Sequence, residues 1–529
     1  MAGAAVGALC ASMVASMAAL GGTAAATAAS AHTARAHKVP NVTVTLGTTD
    51  KIVSNDPAGS YDLPSWTVQY NVYQQLLTYP PNGTKPVPDA AKCHWQGTGA
   101  TVYACTVLPH QFFSNGDPVT AQDVVYSFER VNKINDPNGP ASLIAPMKSV
   151  SAKGNTVTFT MKHPDATWPG VVSTAAGSIV DPKVFPFDKL VPSGKVIGSG
   201  PYELAKYVPN ELAEFTPNPH YGGADVLHNN KFIVRYEESG ATLVSDVQQG
   251  AVDLGYRDLT TTQLVALRKS KGVRLVEGHG IEIRYIVFNL HTQPGSNASQ
   301  KLAIRHAVAY VVNRQDLAAN VYKGTVKPLY SIIPNALPGH IDSFVKVYGP
   351  KPSVADAKKA LAAAGVKTPV KFTLWYNINH YQDEDLATEL ARQLNASGLF
   401  KVSLQSAEWT TYDTSATTNE YGVFLFGWFP DYPDADDYSQ PFYQCNDEFM
   451  VDHYCNASVD KDLLKEEGTN VQSVRNVAFA ALQTQTAKDA PLIPLWQGGQ
   501  VAAVRNGVTG VLTTLDPSYT FRFWLIGKH

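Results

Sequence analysis

Basic runs are missing from this 529-residue chain, and a formal net charge of −3 offers no electrostatic footprint for a nucleic acid. Charge is sparse throughout, at 16% of residues against 44% hydrophobic, which describes an ordinary globular protein. After the first 31 residues no apolar stretch approaches the ~20 residues of a membrane-spanning helix. Catalytic signatures are missing too: there is no G-x-S-x-G elbow, no Walker loop, no G-x-G-x-x-G and no H-E-x-x-H. The chain is too long for one core, so two or three domains are expected.

Cysteine is scarce, at 5 residues, yet its placement is informative. Cys93 and Cys105 stand 12 apart, Cys445 and Cys455 10 apart, and neither pair has the C-x₂₋₄-C spacing of a zinc site. Gly97-Thr98-Gly99 reads as a turn that folds Cys93 back onto Cys105. Two disulfides and no metal are expected in an exported chain. Export itself is read from the N-terminus. Residues 1–31 contain no Asp, Glu, Lys or Arg and end in Ala29-Ser30-Ala31, a small-x-small pattern that suits cleavage near His32. No positive n-region precedes this run, and it is too rich in Ala and Gly to make a good membrane anchor. Cys10 is the one candidate for lipidation, but Leu9 occupies the small position of a lipobox, so free secretion is the stronger expectation.

From about residue 40, short strands alternate with helices, the pattern of α/β domains with covered sheets. Strands are expected at 42–46 and 156–161, and a helix over 70–77 with Val72 and Leu76 on one side. In Asn115-Gly116-Asp117-Pro118 the glycine and proline make a turn. Thr120 then caps a helix with Asp123 three residues on, and Val124, Phe128 and Val131 form its apolar face. Later helices open at Thr242, Ser299, Ser353 and Asp383, the last two ending at Gly365 and Gly398. No internal repeat is present.

The wording of residues 112–130 closely resembles the F-x-(D/N)-G-x-P-(V/L)-T-A-x-D-V-x-x-S signature of bacterial extracellular solute-binding proteins of the peptide/nickel class. Further resemblances follow in the family's order: Gly198-Ser199-Gly200-Pro201-Tyr202, Val252-Asp253, Arg305 to Arg314, the loop after Phe424, and Pro491 to Trp496. The resemblance implies a two-lobed periplasmic-binding-protein-like fold with a hinge and an additional strand-rich domain inserted in lobe one. Lobe one would comprise 40–75, 196–285 and 496–529, the extra domain 76–195 and lobe two 286–495. It also implies a monomeric, extracellular or envelope-associated component of an ABC importer. Such a protein captures short peptides between closing lobes, hands them to membrane permease subunits, and needs no cofactor and no nucleic acid. Other solutes of the class (nickel chelates, oligosaccharides, opines) are the alternative, and a secreted hydrolase is a distant second.

Phe424 to Asp434 resembles the family's G-W-x-A-D-Y-x-(D/E)-P loop. Carried over position by position, Asp431 would pair with a peptide's α-ammonium and Trp428 would line the cleft. Read without the resemblance, Asp431 is a turn-capping residue between two prolines. Pro430 departs from the family's Ala. Asp434, Asp436 and Asp437 lack calcium-loop spacing and read as a solvated acidic loop. Tyr73, Trp496 and His380 are further ligand candidates. Each has a plainer reading, as core, structural aromatic and loop histidine respectively. The carboxylate groups Glu237-Glu238 and Asp383-Glu384-Asp385 are expected to be solvated.

Overall fold

The structure is a computed structural model. It describes residues 39–257, 259–378, 380, 382–446 and 452–529. The segment 1–31 expected as a signal, with Cys10, and the neighbours of His380, Asn379 and Tyr381, lie outside the described residues. No described helix is long and apolar enough to cross a membrane.

Three sheets organise the chain. A seven-stranded sheet runs Val273–Glu277, Val501–Arg505, Leu254–Tyr256, Thr43–Thr48, Lys231–Tyr236, Leu212–Pro217, Tyr202–Val208. Its centre is parallel, with Thr43–Thr48 between Lys231–Tyr236 and Leu254–Tyr256. The crossover joining those two neighbours is the helix Gly240–Gln249, capped by Ser239 and stopped by Gly250 at φ 81°. It thus opens slightly before the expected Thr242.

A six-stranded sheet runs Val326–Pro328, Leu492–Gly498, Ile283–Phe288, Val423–Trp428, Val370–Asn377, Phe400–Ala407. Ile283–Phe288 is buried at all six positions. Its alternate side chains enter different cores. Ile286 and Phe288 meet the helices Ala298–Val311 and Asp383–Ala396, while Ile283, Tyr285 and Val287 meet Tyr438, Phe442 and Leu482.

The third sheet is antiparallel and four-stranded, in the order Ala91–Trp95, Val102–Val107, Thr156–Met161, Met147–Lys153. Cys93 faces Cys105 across its first pair and is bonded to it. Cys445 is bonded to Cys455. The helix Ala121–Ile134 covers this sheet, with Phe128 against Phe159 at 4.9 Å and with both halves of the Thr120–Asp123 capping box formed. Arg130 on that helix reaches back to the turn at Pro57–Gly59, donating from Nη1 and Nη2 to the two oxygens of its capping Asp56 at 2.7 Å each. Two bonds in fixed geometry compensate the burial of both charges.

The chain passes between the two large sheets twice, at residues 278–282 and 499–500, and the two crossings are bonded to each other. Gly278 N donates to Gln500 O at 2.8 Å and Gly498 N to Glu282 O at 2.7 Å. The expected division at 285/286 falls inside the strand Ile283–Phe288, and that at 495/496 inside Leu492–Gly498. Both strands belong whole to the six-stranded sheet.

The helix expected over 70–77 is instead Leu63–Val72, capped by Asp62 with Pro64 in its first turn. It ends where Gly198 and Gly200 pack on its last carbonyl. A Cβ on Gly198 would lie 2.0 Å from Val72 O, so the Gly-Ser-Gly-Pro segment is a close backbone crossing that no larger residue permits.

Candidate functional site

The strand Val423–Trp428 delivers the aromatic loop to the gap between the two large sheets. Gly427 lies opposite Arg284 in the neighbouring strand. A Cβ at Gly427 would overlap the guanidinium of Arg284, 1.6 Å from Nη1. The glycine therefore makes room for an arginine that is only 4% exposed. Arg284 pairs with Glu282 at 3.0 Å and approaches Asp383 at 3.7 Å. It also bonds His380, whose Nδ1 lies 2.9 Å from Asp383 Oδ1. Its guanidinium lies over the rings of Phe429 and Trp496, at 5.8 and 5.6 Å.

Part of this cluster lines a cavity of about 70 Å³. Glu282, Phe429 and Trp496 line it from the six-stranded side, and Tyr256, Arg257 and Gln500 from the seven-stranded side. Trp496 is 2% exposed, stands 4.7 Å from Tyr322, and keeps its indole N–H without a hydrogen-bond partner among the described residues. A buried donor without a partner is costly.

Asp431 follows the cavity-lining Phe429 by two positions on the same loop. It accepts a hydrogen bond from the hydroxyl of Tyr61, 370 residues away in sequence, at 2.5 Å. Its own N–H donates to Asp437 Oδ2 at 3.2 Å, and the same oxygen accepts the Trp428 indole N–H at 3.0 Å. Asp437 thus fastens the loop. Burial pushes the Asp431 carboxyl up to about 7, with the Tyr61 bond pulling it back. Burial and the nearby Asp431 push Asp437 well above the carboxylate range.

The five residues singled out in the sequence therefore separate. Trp496 is a cavity wall. Asp431 and Trp428 share the adjoining loop, and His380 stands behind it, tied to Arg284 and Asp383. Tyr73 is not at the site. It is 1% exposed, donates to Asn55 O at 2.9 Å and packs edge-on to Phe185, in the core under the seven-stranded sheet. A tyrosine closing a buried helix serves packing.

The acidic loop is a second correction. Asp436 and Asp437 are 6% and 3% exposed, and Asp434 is held by two bonds from Arg475. Asp383, expected in solvent, is 4% exposed for the reason already seen: it faces Arg284. Sequence reading missed Tyr61, Glu282 and Arg284, and took Asp437 for a solvated acid. The close resemblance of Gly427 to the family glycine was the one available sign of Arg284, since it marks a place where something large must pass.

A profile of "Bacterial extracellular solute-binding proteins, family 5 Middle" matches residues 85–449. The probable D,D-dipeptide-binding periplasmic protein DdpA of Escherichia coli strain K12 is 25% identical, over 89% of this chain and 92% of its own. The periplasmic murein peptide-binding protein MppA of the same organism is 26% identical, over 85% and 86%. Among solved structures, CtaP of Listeria monocytogenes superposes with a TM-score of 0.79 at 21% identity, over 92% of this chain and 99% of the other. Haemophilus influenzae OppA, in complex with RPPGFSPFR, superposes with 0.72 at 23%, over 92% and 99%. These structures share the two-lobed fold. With its fold, its loop and a matched region of well over half its length in agreement, the chain belongs to the bacterial extracellular solute-binding proteins of family 5.

Proposed function

We propose that this protein captures short peptides between its two lobes and delivers them to the membrane permease of an ABC importer. The observation that carries the reading is the Tyr61–Asp431 pair. Among the described residues the Asp431 carboxyl accepts from the phenol of Tyr61 and forms no salt bridge, so its charge is open to pairing with a cation. A peptide's α-ammonium would displace Tyr61 and form a charge-assisted bond in a poorly solvated place. Trp428, Trp496 and His380 would be the other ligand-facing groups. Relatives bearing names such as peptide-binding MppA and oligopeptide-binding OppA support this substrate class.

In this reading lobe one is joined to lobe two through the paired crossings 278–282 and 499–500, which act as the hinge. The protein is exported, works as a monomer and performs no chemistry on its ligand. One structural neighbour, AgaA, was solved with agropinic acid, so an opine-type solute is the competing ligand. Mass spectrometry of small molecules released from natively purified protein separates the two. Peptides with free amino termini are expected, and a population containing only opines or sugars would overturn the proposal. Incubation with the recovered peptides should leave them intact.

A further inference from the structure

Behind the cleft loop a group of buried carboxylates shares too little positive charge. Arg475 serves two of them. Nη1 donates to Asp434 Oδ2 at 2.7 Å, and Nη2 donates to Asp434 Oδ1 and to Glu466 Oε2, both at 2.8 Å. Asp436, Glu466 and Glu467 nevertheless bring one carboxylate oxygen each within 4.8 Å of one another. Asp436 is 6% exposed and Glu466 0%. Oδ1 of Asp436 and Oε1 of Glu466 receive no donor among the described residues, and the two side chains lie within hydrogen-bonding reach of each other, a contact that two acids keep only by sharing a proton or a cation.

The strand-rich domain adds a further carboxylate. Ala166 N donates to Glu467 O at 3.1 Å, which docks this segment on the helix Ala457–Glu467. The adjoining Asp165 is 5% exposed. Its Oδ1 is used by Thr167, whose N–H and hydroxyl donate to it at 2.9 and 2.5 Å. Its Oδ2 is buried and also without a partner. Five carboxylates thus stand around one guanidinium.

Carboxylates are not left buried and charged without compensation. Burial pushes Asp436 up to about 6 and Glu467 up to about 8, and in both the charges of their acidic neighbours, Asp165 included, add to the rise. Either protons or a cation must settle the group. The donors are all anionic oxygens, with no nitrogen or sulfur, which suits a hard divalent ion and fits calcium with its tolerance for irregular geometry. A groove of about 920 Å³, walled in part by Thr167, Asp434, Ala435 and Arg475, runs past neighbours of these acids.

We propose that Asp436, Glu466 and Glu467, with Asp165 beside them, form a calcium site that fastens the strand-rich domain to lobe two. The ligand spacing follows no linear calcium motif, because the oxygens come from a loop, a helix end and a separate domain.

The test uses the full exported chain, stripped with EDTA and titrated near neutral pH with calcium chloride by calorimetry, with magnesium chloride in parallel. One calcium should bind, protons should be released, as read from buffers of different ionisation enthalpy, and Tm should rise with calcium. Glu467→Gln, at the less buried edge, should weaken calcium by roughly tenfold or more with the fold intact, and Asp436→Asn should do the same. Absence of any calcium heat or Tm shift at millimolar ion overturns the proposal and leaves protons as the neutralising charge. Calcium binding that neither variant weakens overturns it too, because the ion then lies elsewhere. If both variants fail to fold, the wild-type protein decides: one calcium bound with proton release and preferred over magnesium supports the site, and anything else rejects it.

Discussion

Asp431 and Asp434 are three residues apart on one loop and live in opposite electrostatic surroundings. Asp434 faces a guanidinium that grips both its oxygens, and its carboxyl is held below the usual range despite burial. Asp431 faces a phenol, and its carboxyl rises to about 7. A charge that is paired within the protein belongs to the fold. A charge set against a neutral partner is the one the proposed function assigns to a ligand. The same loop therefore holds a structural acid and, in that proposal, a receptive one.

The harshest way to break this contrast is to remove the partner of the structural acid. Arg475→Met leaves Asp434 and Glu466 buried without their cation, and losing one member of a buried pair costs about 3–5 kcal/mol. Urea denaturation should show that loss. A variant as stable as the wild type would mean that the guanidinium contributes nothing net.

Removing the charge of the receptive acid should instead spare the fold. Asp431→Asn is expected to lower affinity for a free-amino peptide by an amount matching about 2–5 kcal/mol. Stability without ligand should hold or rise, because a carboxylate disfavoured by burial is gone. N-acetylated peptides should barely distinguish the two proteins. Titration calorimetry with blocked and unblocked peptides checks both, and equal affinity for the unblocked peptide would dismiss Asp431 as the ammonium partner.

Changing pH sharpens the contrast further. The Asp431 carboxyl lies raised, at about 7, in the ligand-free protein, and a bound ammonium must lower it. The favourable interaction is then fully present above 7 and lost as pH falls below it, by about tenfold, or ~1.4 kcal/mol, per unit until the complex itself protonates. Folding stability runs the other way for this group: protonation favours the folded form below the unfolded value of 3.8, and that gain is lost as pH rises through 7. Tyr61 and Asp437, the groups facing Asp431, remain in the variant. The acid-side loss of affinity should therefore disappear in Asp431→Asn.

The mildest effect concerns a residue that only packs. Tyr73→Phe removes the donor to Asn55 O and should cost about 1–3 kcal/mol of stability through the buried acceptor left behind. Ligand affinity should be unchanged, and a clear loss of binding would return Tyr73 to the site.

Local signals were legible. The capping box at Thr120 and Asp123 and the period-two strand at Thr156–Met161 depend on neighbours a few residues apart, and they formed as read. Cysteines 10 and 12 residues apart likewise needed only a nearby turn. The helix near residue 70 was misplaced because Asp62 and Pro64 supply the real start, ahead of the apolar spacing that suggested a later one.

What the sequence by itself determined is the family, through motifs kept in order, and with it the two-lobed fold and the loop that carries Trp428 and Asp431. What only the tertiary structure decided is which charges meet. Tyr61 reaches Asp431 across 370 residues, Arg475 reaches Asp434 across 41, and Arg130 reaches Asp56 across 74. A run of aspartates reads as solvated until the fold brings such a partner to it. The electrostatic character of an acid depends on groups within a few ångströms in space, and sequence proximity supplies only some of them.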